Sequence, residues 1–196
     1  MSVEVREERA SANVSERAER LEKSRLLFTL FNDARLMVIA LWLGAAVFFS
    51  AVVAPVVFAT LRELNVEHAN HAAGSIVTRS LVILNVSGTL ASLLLIATAF
   101  AFRRGIKRSA LYFETATLAL LALMTAVGQW VINARMLALR VAMGRPIDDV
   151  APDSPLRAQF NSLHGYSVAI FGVAILAAVA AFLLIARRRQ ARLSSL

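Results

Sequence analysis

The sequence predicts an all-α membrane protein, a four-transmembrane-helix bundle with a short N-terminal cytoplasmic amphipathic helix. Three observations predict it. Leu36 to Leu61 is a run of 26 residues without one charge. At about 1.5 Å per residue such a run crosses a hydrocarbon core of ~30 Å with some tilt. Three further apolar runs follow, each bounded by basic residues. Hydrophobic residues fill 58% of 196 positions and mean hydropathy is +0.65, a composition unsuited to a water-soluble domain.

Residues 1–35 form a cytoplasmic tail with seven Lys/Arg and seven acids, so it carries no net charge of its own. The first dozen are polar without periodicity and read as disordered. Asn13 and Glu16 have the spacing of a capping box, which predicts a helix starting at Asn13, with alternating charges on to Lys23. Leu27, Leu30, Phe31 and Ala34 then form an i, i+3, i+4, i+7 stripe suited to a membrane surface. These 35 residues lack a hydrophobic core, so nothing marks a signal peptide.

The first span, 36–61, contains Pro55, which removes a backbone donor and predicts a kink in its last two turns. Gly44 and its small neighbours offer a surface for close helix approach. The second span, 81–102, stops at Arg103 and Arg104. The third, 109–134, has Glu114 near its start and Gln129 and Asn133, four apart on one helical face, near its end. Glu114 is predicted to pair with Lys107, Arg108 or Arg103 at the interface. The fourth span, about 160–186, lies in an uncharged stretch and ends at Arg187-Arg188-Arg189, which opens the basic tail 187–196. Gly165 and Gly172 share a face there and are candidate contact points.

Fifteen Lys/Arg fall in the N-tail, the 103–108 turn and the C-tail, against six in the other two loops. The positive-inside rule therefore places both termini in the cytoplasm, at a plasma or bacterial inner membrane. The net charge of +8 serves this orientation, and no basic patch interleaved with aromatics suggests nucleic acid. The expected partners are the lipid bilayer and a second copy or another membrane subunit. The absence of cysteine excludes disulfides, iron–sulfur clusters and covalently attached c-type haem.

With that topology the polar residues of the spans gather in the outer half. Asn85, Gln129, Asn133, Asn161, His164 and Ser167 are the candidates for a polar cup open to the outside. The inner halves of spans one, two and four are nearly pure hydrocarbon, which argues against a through-going channel. His68, His71 and His164 also fall on the outer side. They could hold zinc or copper, or bracket haem b, although HxxH in a polar connection equally describes hydrogen-bonded interfacial histidines. No serine–histidine–acid set or phosphate-binding glycine loop makes a case for an enzyme. Three functions remain open: a non-enzymatic cup for a small ligand, lipid or subunit; a copper or haem homeostasis protein using His164 with His68 or His71; and a purely structural subunit.

The run around Gly44, Pro55 and Phe58 resembles the opening of the transmembrane protein 205-like domain, where a Trp/Leu-Gly start precedes a Pro-x-x-Phe. Phe160, Leu163, His164 and Ser167 are similar to that family's Phe-x-x-Leu-His-x-x-Ser. The resemblance covers roughly residues 36–185. It implies a small four-span membrane protein with a cytoplasmic basic end and no assigned activity. The chain departs from the family where Ile170 and Phe171 replace an asparagine.

Overall fold

Between Val3 and Leu43 the chain has no glycine or proline, so nothing in it stops a helix. In the computed structural model, which describes residues 3–101 and 108–193, α1 (Val3–Phe48) runs unbroken from the leader into the first span. The helix neither waits for Asn13 nor leaves a separate surface segment. Its leader is laced by i, i+4 pairs, Glu16 with Arg20 and Glu19 with Lys23. Leu27 and Leu30 stay exposed, whereas Asn32 and Arg35 turn into the bundle. Arg103, Arg104, Lys107 and the side chain of Asn13 lie outside the described residues.

The expected disturbance at Pro55 takes the form of a π-helical segment, Phe49–Val53, leading into α2 (Ala54–Glu63). Pro55 cannot bond the carbonyl of Ala51, and its ring would strike it; widening the preceding turn relieves both. After a turn in which Asn65 and His68 adopt left-handed backbone, α3 (Ala69–Ala101) forms the second crossing. The third comprises α4 (Arg108–Ala126), a second π segment (Val127–Asn133) and α5 (Ala134–Met143). Gly144, at φ 61°, closes it with the left-handed cap that glycine adopts without steric cost. A 3-10 turn (Ile147–Asp149) precedes α6 (Pro155–Leu193). The second and third crossings thus extend about ten residues beyond the uncharged runs, taking in Arg79 and Arg140. A helix satisfies its own backbone and has no reason to stop at the membrane interface.

Among the described residues four helices are long and apolar enough to cross a membrane. They pack in ring order: α3 on α4, α4 on α6, and α6 back on α1, with α2 against α3. Large apolar side chains such as Leu41, Phe48, Ile83, Leu90 and Leu176 point outward and are mostly exposed. An apolar surface this extensive needs lipid to cover it. The chain is an integral membrane protein.

The core runs from Ile39 and Trp42 through Leu95, Leu118 and Leu121 to an alanine stripe on α6, Ala174, Ala177, Ala178 and Ala181. These alanines, rather than the predicted glycines, let α6 approach its neighbours. A Cβ built on Gly44, Gly165 or Gly172 would meet nothing within 4 Å, because all three face away from the helix contacts. The glycine that matters is Gly88, where an added Cβ would fall 2.7–2.8 Å from the Trp42 indole. That close approach lets Trp42 Nε1 donate to the Leu84 carbonyl at 2.9 Å. Thr89 and Thr125 join α3 to α4 by a buried hydroxyl pair 2.9 Å apart.

The end of the bundle that carries the termini holds a charged cluster at the margin of its hydrocarbon halves. Arg35 of α1 donates to Glu114 Oε1, and Arg188 of α6 donates to Glu114 Oε2 at 2.9 Å. All three side chains are at least nine-tenths buried. A second donation from Arg35, at 3.0 Å, reaches the Leu95 carbonyl of α3. Glu114 therefore meets arginines of the first and last crossings. The predicted interfacial pairing with Arg108 is replaced by a buried ion triad touching every crossing.

Candidate functional site

At the opposite end, which carries the 64–68 turn and the 144–154 loop, the bundle forms an open cavity of about 190 Å³. Its polar lining comes from α3 (Thr78, Asn85), the third crossing (Asn133, Arg140) and α6 (His164, Ser167). Asn70 and Asn161 stand at its exposed rim, and Phe58, Val77, Leu81 and Met136 supply apolar wall. Five of the six cup candidates thus share one cavity: Asn85, Asn133, Asn161, His164 and Ser167.

Gln129 does not join them. Gln129 lies with Asn133 in the π segment, but its side chain is not part of the cavity lining. Gly128 and Asn133, five apart, are the pair that faces the cavity. Gly128 also leaves room for Asn85, whose Nδ2 lies 3.4 Å from where a Cβ would stand.

Arg140 is the functional candidate that sequence reading missed, being counted as a loop residue beyond a span ending at 134. As a residue of α5 it stacks its guanidinium over Phe160, 5.3 Å from the ring centroid, and reaches Thr78 Oγ1 at 3.4 Å. Gly74 makes the space, since a Cβ there would lie 3.0 Å from the Arg140 terminal nitrogen. The available signal was its spacing: Asn133, Met136 and Arg140 continue one helical face at i, i+3, i+7.

The 144–154 loop closes over this end. Met143, Val150 and Phe160 form a small apolar cluster beneath it, with Ile147 packed against them and also lining the cavity. Asp148 caps α3 from across the loop: Oδ1 accepts from Asn70 Nδ2 at 2.7 Å and Oδ2 from the His71 backbone N–H at 3.0 Å. Partial burial alone would push the Asp148 carboxyl up. The two hydrogen bonds and the charges of His68 and His71 outweigh it and hold the carboxyl below its usual range. A lowered pKa means the folded state favours the carboxylate. Its stabilisation is complete above the ordinary value of ~3.9 and disappears as pH falls through the lower folded value. Asp148→Ala is expected to cost about 1 kcal/mol at neutral pH, read as faster hydrogen exchange at the first turn of α3, with wild type matching it only in strong acid.

Histidines at this end have separate surroundings. His68 Nδ1 lies 3.4 Å from Asp149 and Nε2 3.6 Å from Glu67, while His164 lines the cavity. Among the described residues no group of three or more histidine, aspartate or glutamate side chains is placed to hold a metal ion.

No curated protein and no solved structure matches the chain. One family model does, over residues 37–145, a stretch that contains the first three crossings, Glu114 and Arg140 but ends before α6. That stretch is more than half of the chain, which therefore belongs to the family described as a domain of unknown function, DUF4149.

Proposed function

We propose that this protein is a non-enzymatic membrane protein whose polar cavity, open to the outside, takes up a small ligand or lipid headgroup. The observation that carries this is the gathering of five polar side chains and Arg140, drawn from three crossings, around one cavity. Polar groups at membrane depth are rare without a role, and here they line a cavity, with Arg140 and Thr78 the one pair of described residues bonded across it. At about 190 Å³ the space is below the ~300 Å³ of ordinary drug-sized sites, so a headgroup or small solute fits better than a large substrate. The excess of Lys/Arg at the termini end favours cytoplasmic termini and an outward cavity. Kinship with transmembrane protein 205-like domains belongs to the same reading and rests on Gly44, Pro55, Phe58, Phe160, Leu163, His164 and Ser167.

The chain has no cysteine, so a single introduced thiol reports on one place. In intact cells Ser167→Cys should react with a membrane-impermeant maleimide, whereas Ala178→Cys in the core should not. Labelling of Ser167→Cys only after the membrane is opened would reverse the orientation. No labelling under either condition would remove the water-accessible cavity on which the reading stands.

A further inference from the structure

We infer that the ligand of this cavity is a phosphate-bearing anion, gripped by Arg140; the inference rests on the binding role just proposed. Among the eight polar side chains that line the cavity, Arg140 is the one permanent charge, and none is a carboxylate. Arg140 takes part in none of the ion pairs formed by the described residues. Its guanidinium has one long hydrogen bond, to Thr78, and the face of Phe160. Both oxygens of Asp148, beyond the rim, are occupied by Asn70 and the His71 N–H.

A half-buried guanidinium within a membrane bundle normally finds an anion, because desolvation without a counter-charge is costly. The two deeply buried arginines at the other end obey that rule, Arg35 and Arg188 meeting at Glu114, while half-buried Arg157 settles on the Val150 carbonyl. At Arg140 the counter-ion is left to the ligand. The planar fork suits two oxygens of one phosphate, and the amides of Asn85 and Asn133, with the Ser167 hydroxyl, supply donors from other sides. Phe58, Leu81 and Met136 offer apolar wall beside this polar half, as an esterified phosphate with a short hydrocarbon neighbour requires. The phosphate group could belong to an anionic lipid or be free in solution, and the two sources are separable.

The full chain in neutral detergent would be incubated with phosphatidylglycerol or phosphatidylcholine and analysed by native mass spectrometry. Parallel equilibrium dialysis would use radiolabelled inorganic phosphate. One-to-one retention of phosphatidylglycerol over phosphatidylcholine assigns the site to lipid; saturable binding of inorganic phosphate assigns it to a soluble anion. In either case Arg140→Gln should weaken binding about tenfold to a hundredfold, the loss of a charge-assisted pair. Thr78→Asp is the companion variant, placing a carboxylate beside the guanidinium without removing it. It should abolish anion binding with an unchanged melting temperature, and it decides the matter alone if Arg140→Gln does not fold. Absence of both anions from the wild type, equal retention of the two lipids without saturable phosphate binding, or undiminished binding by Thr78→Asp would each overturn the inference. A reactive Ser167→Cys alongside any of those results would leave the cavity reading intact, whereas an unreactive one would end both.

Discussion

Glu114→Ala should lower the stability of the bundle by about 3–5 kcal/mol, the cost of breaking a buried pair by removing one partner. For a chain of this length that corresponds to a fall of about 6–20 °C in melting temperature in mild detergent. The reason lies in what remains. Arg35 and Arg188, both at least nine-tenths buried, would each lose the carboxylate oxygen that faces it. Arg108→Ala, which removes the exposed neighbour that the sequence offered as partner, should change stability by no more than ~0.5 kcal/mol. Replacing all three members of the triad by apolar residues of similar volume should cost less than Glu114→Ala alone, since no orphaned charge remains. A thermal-melt series covering these variants checks the whole set. Equal effects of Glu114→Ala and Arg108→Ala would place the carboxylate at the interface after all.

Gly88→Ala should be the next most damaging change, at about 1–3 kcal/mol, the usual cost of overpacking a filled contact. A single methyl is enough because the neighbouring atoms at 2.7–2.8 Å belong to the rigid Trp42 indole, which is itself 6% exposed and packed edge-on to Phe171. The indole can yield only by giving up its hydrogen bond to Leu84. Gly88→Ala combined with Trp42→Leu should therefore cost clearly less than the sum of the two single changes, as coupled neighbours do. Strict additivity in a double-mutant cycle would show that the two residues do not meet. Gly165→Ala, with nothing within 4 Å of the new atom, serves as the control and should be neutral or slightly stabilising.

The four crossings were legible because long uncharged runs have almost no other explanation in a chain of this composition. The gathering of Asn85, Asn133, Asn161, His164 and Ser167 at one end was legible for a related reason: depth in a membrane can be counted along the sequence. What failed was everything that depended on helical phase or on where a helix stops. Arg35 borders the first uncharged run and Arg140 lies six residues beyond the one that ends at Ala134, so a boundary drawn at the first charge sent one to the tail and the other to a loop. Both are inside helices, their long stems carrying the charge into the bundle. Gln129 shares its segment with Asn133 yet stays off the cavity, and nothing in the spacing of the two separates them. The α6 contact was sought at glycines, but alanine is small enough, and its stripe is hidden in a segment where nearly every residue is apolar.

The two ends of this bundle differ in how they can yield. Near the termini, Glu114 ties first, third and last crossings through charges that cannot separate without desolvated cost, above a tightly filled alanine seam. Toward the loops, two of the four crossings are interrupted by π segments, and the space between them is partly empty. The molecule is mechanically a pair of tongs, stiff at the hinge and compliant at the tips. Changes in width should be confined to the loop end, where the cavity lies, while the end that carries the termini keeps its spacing.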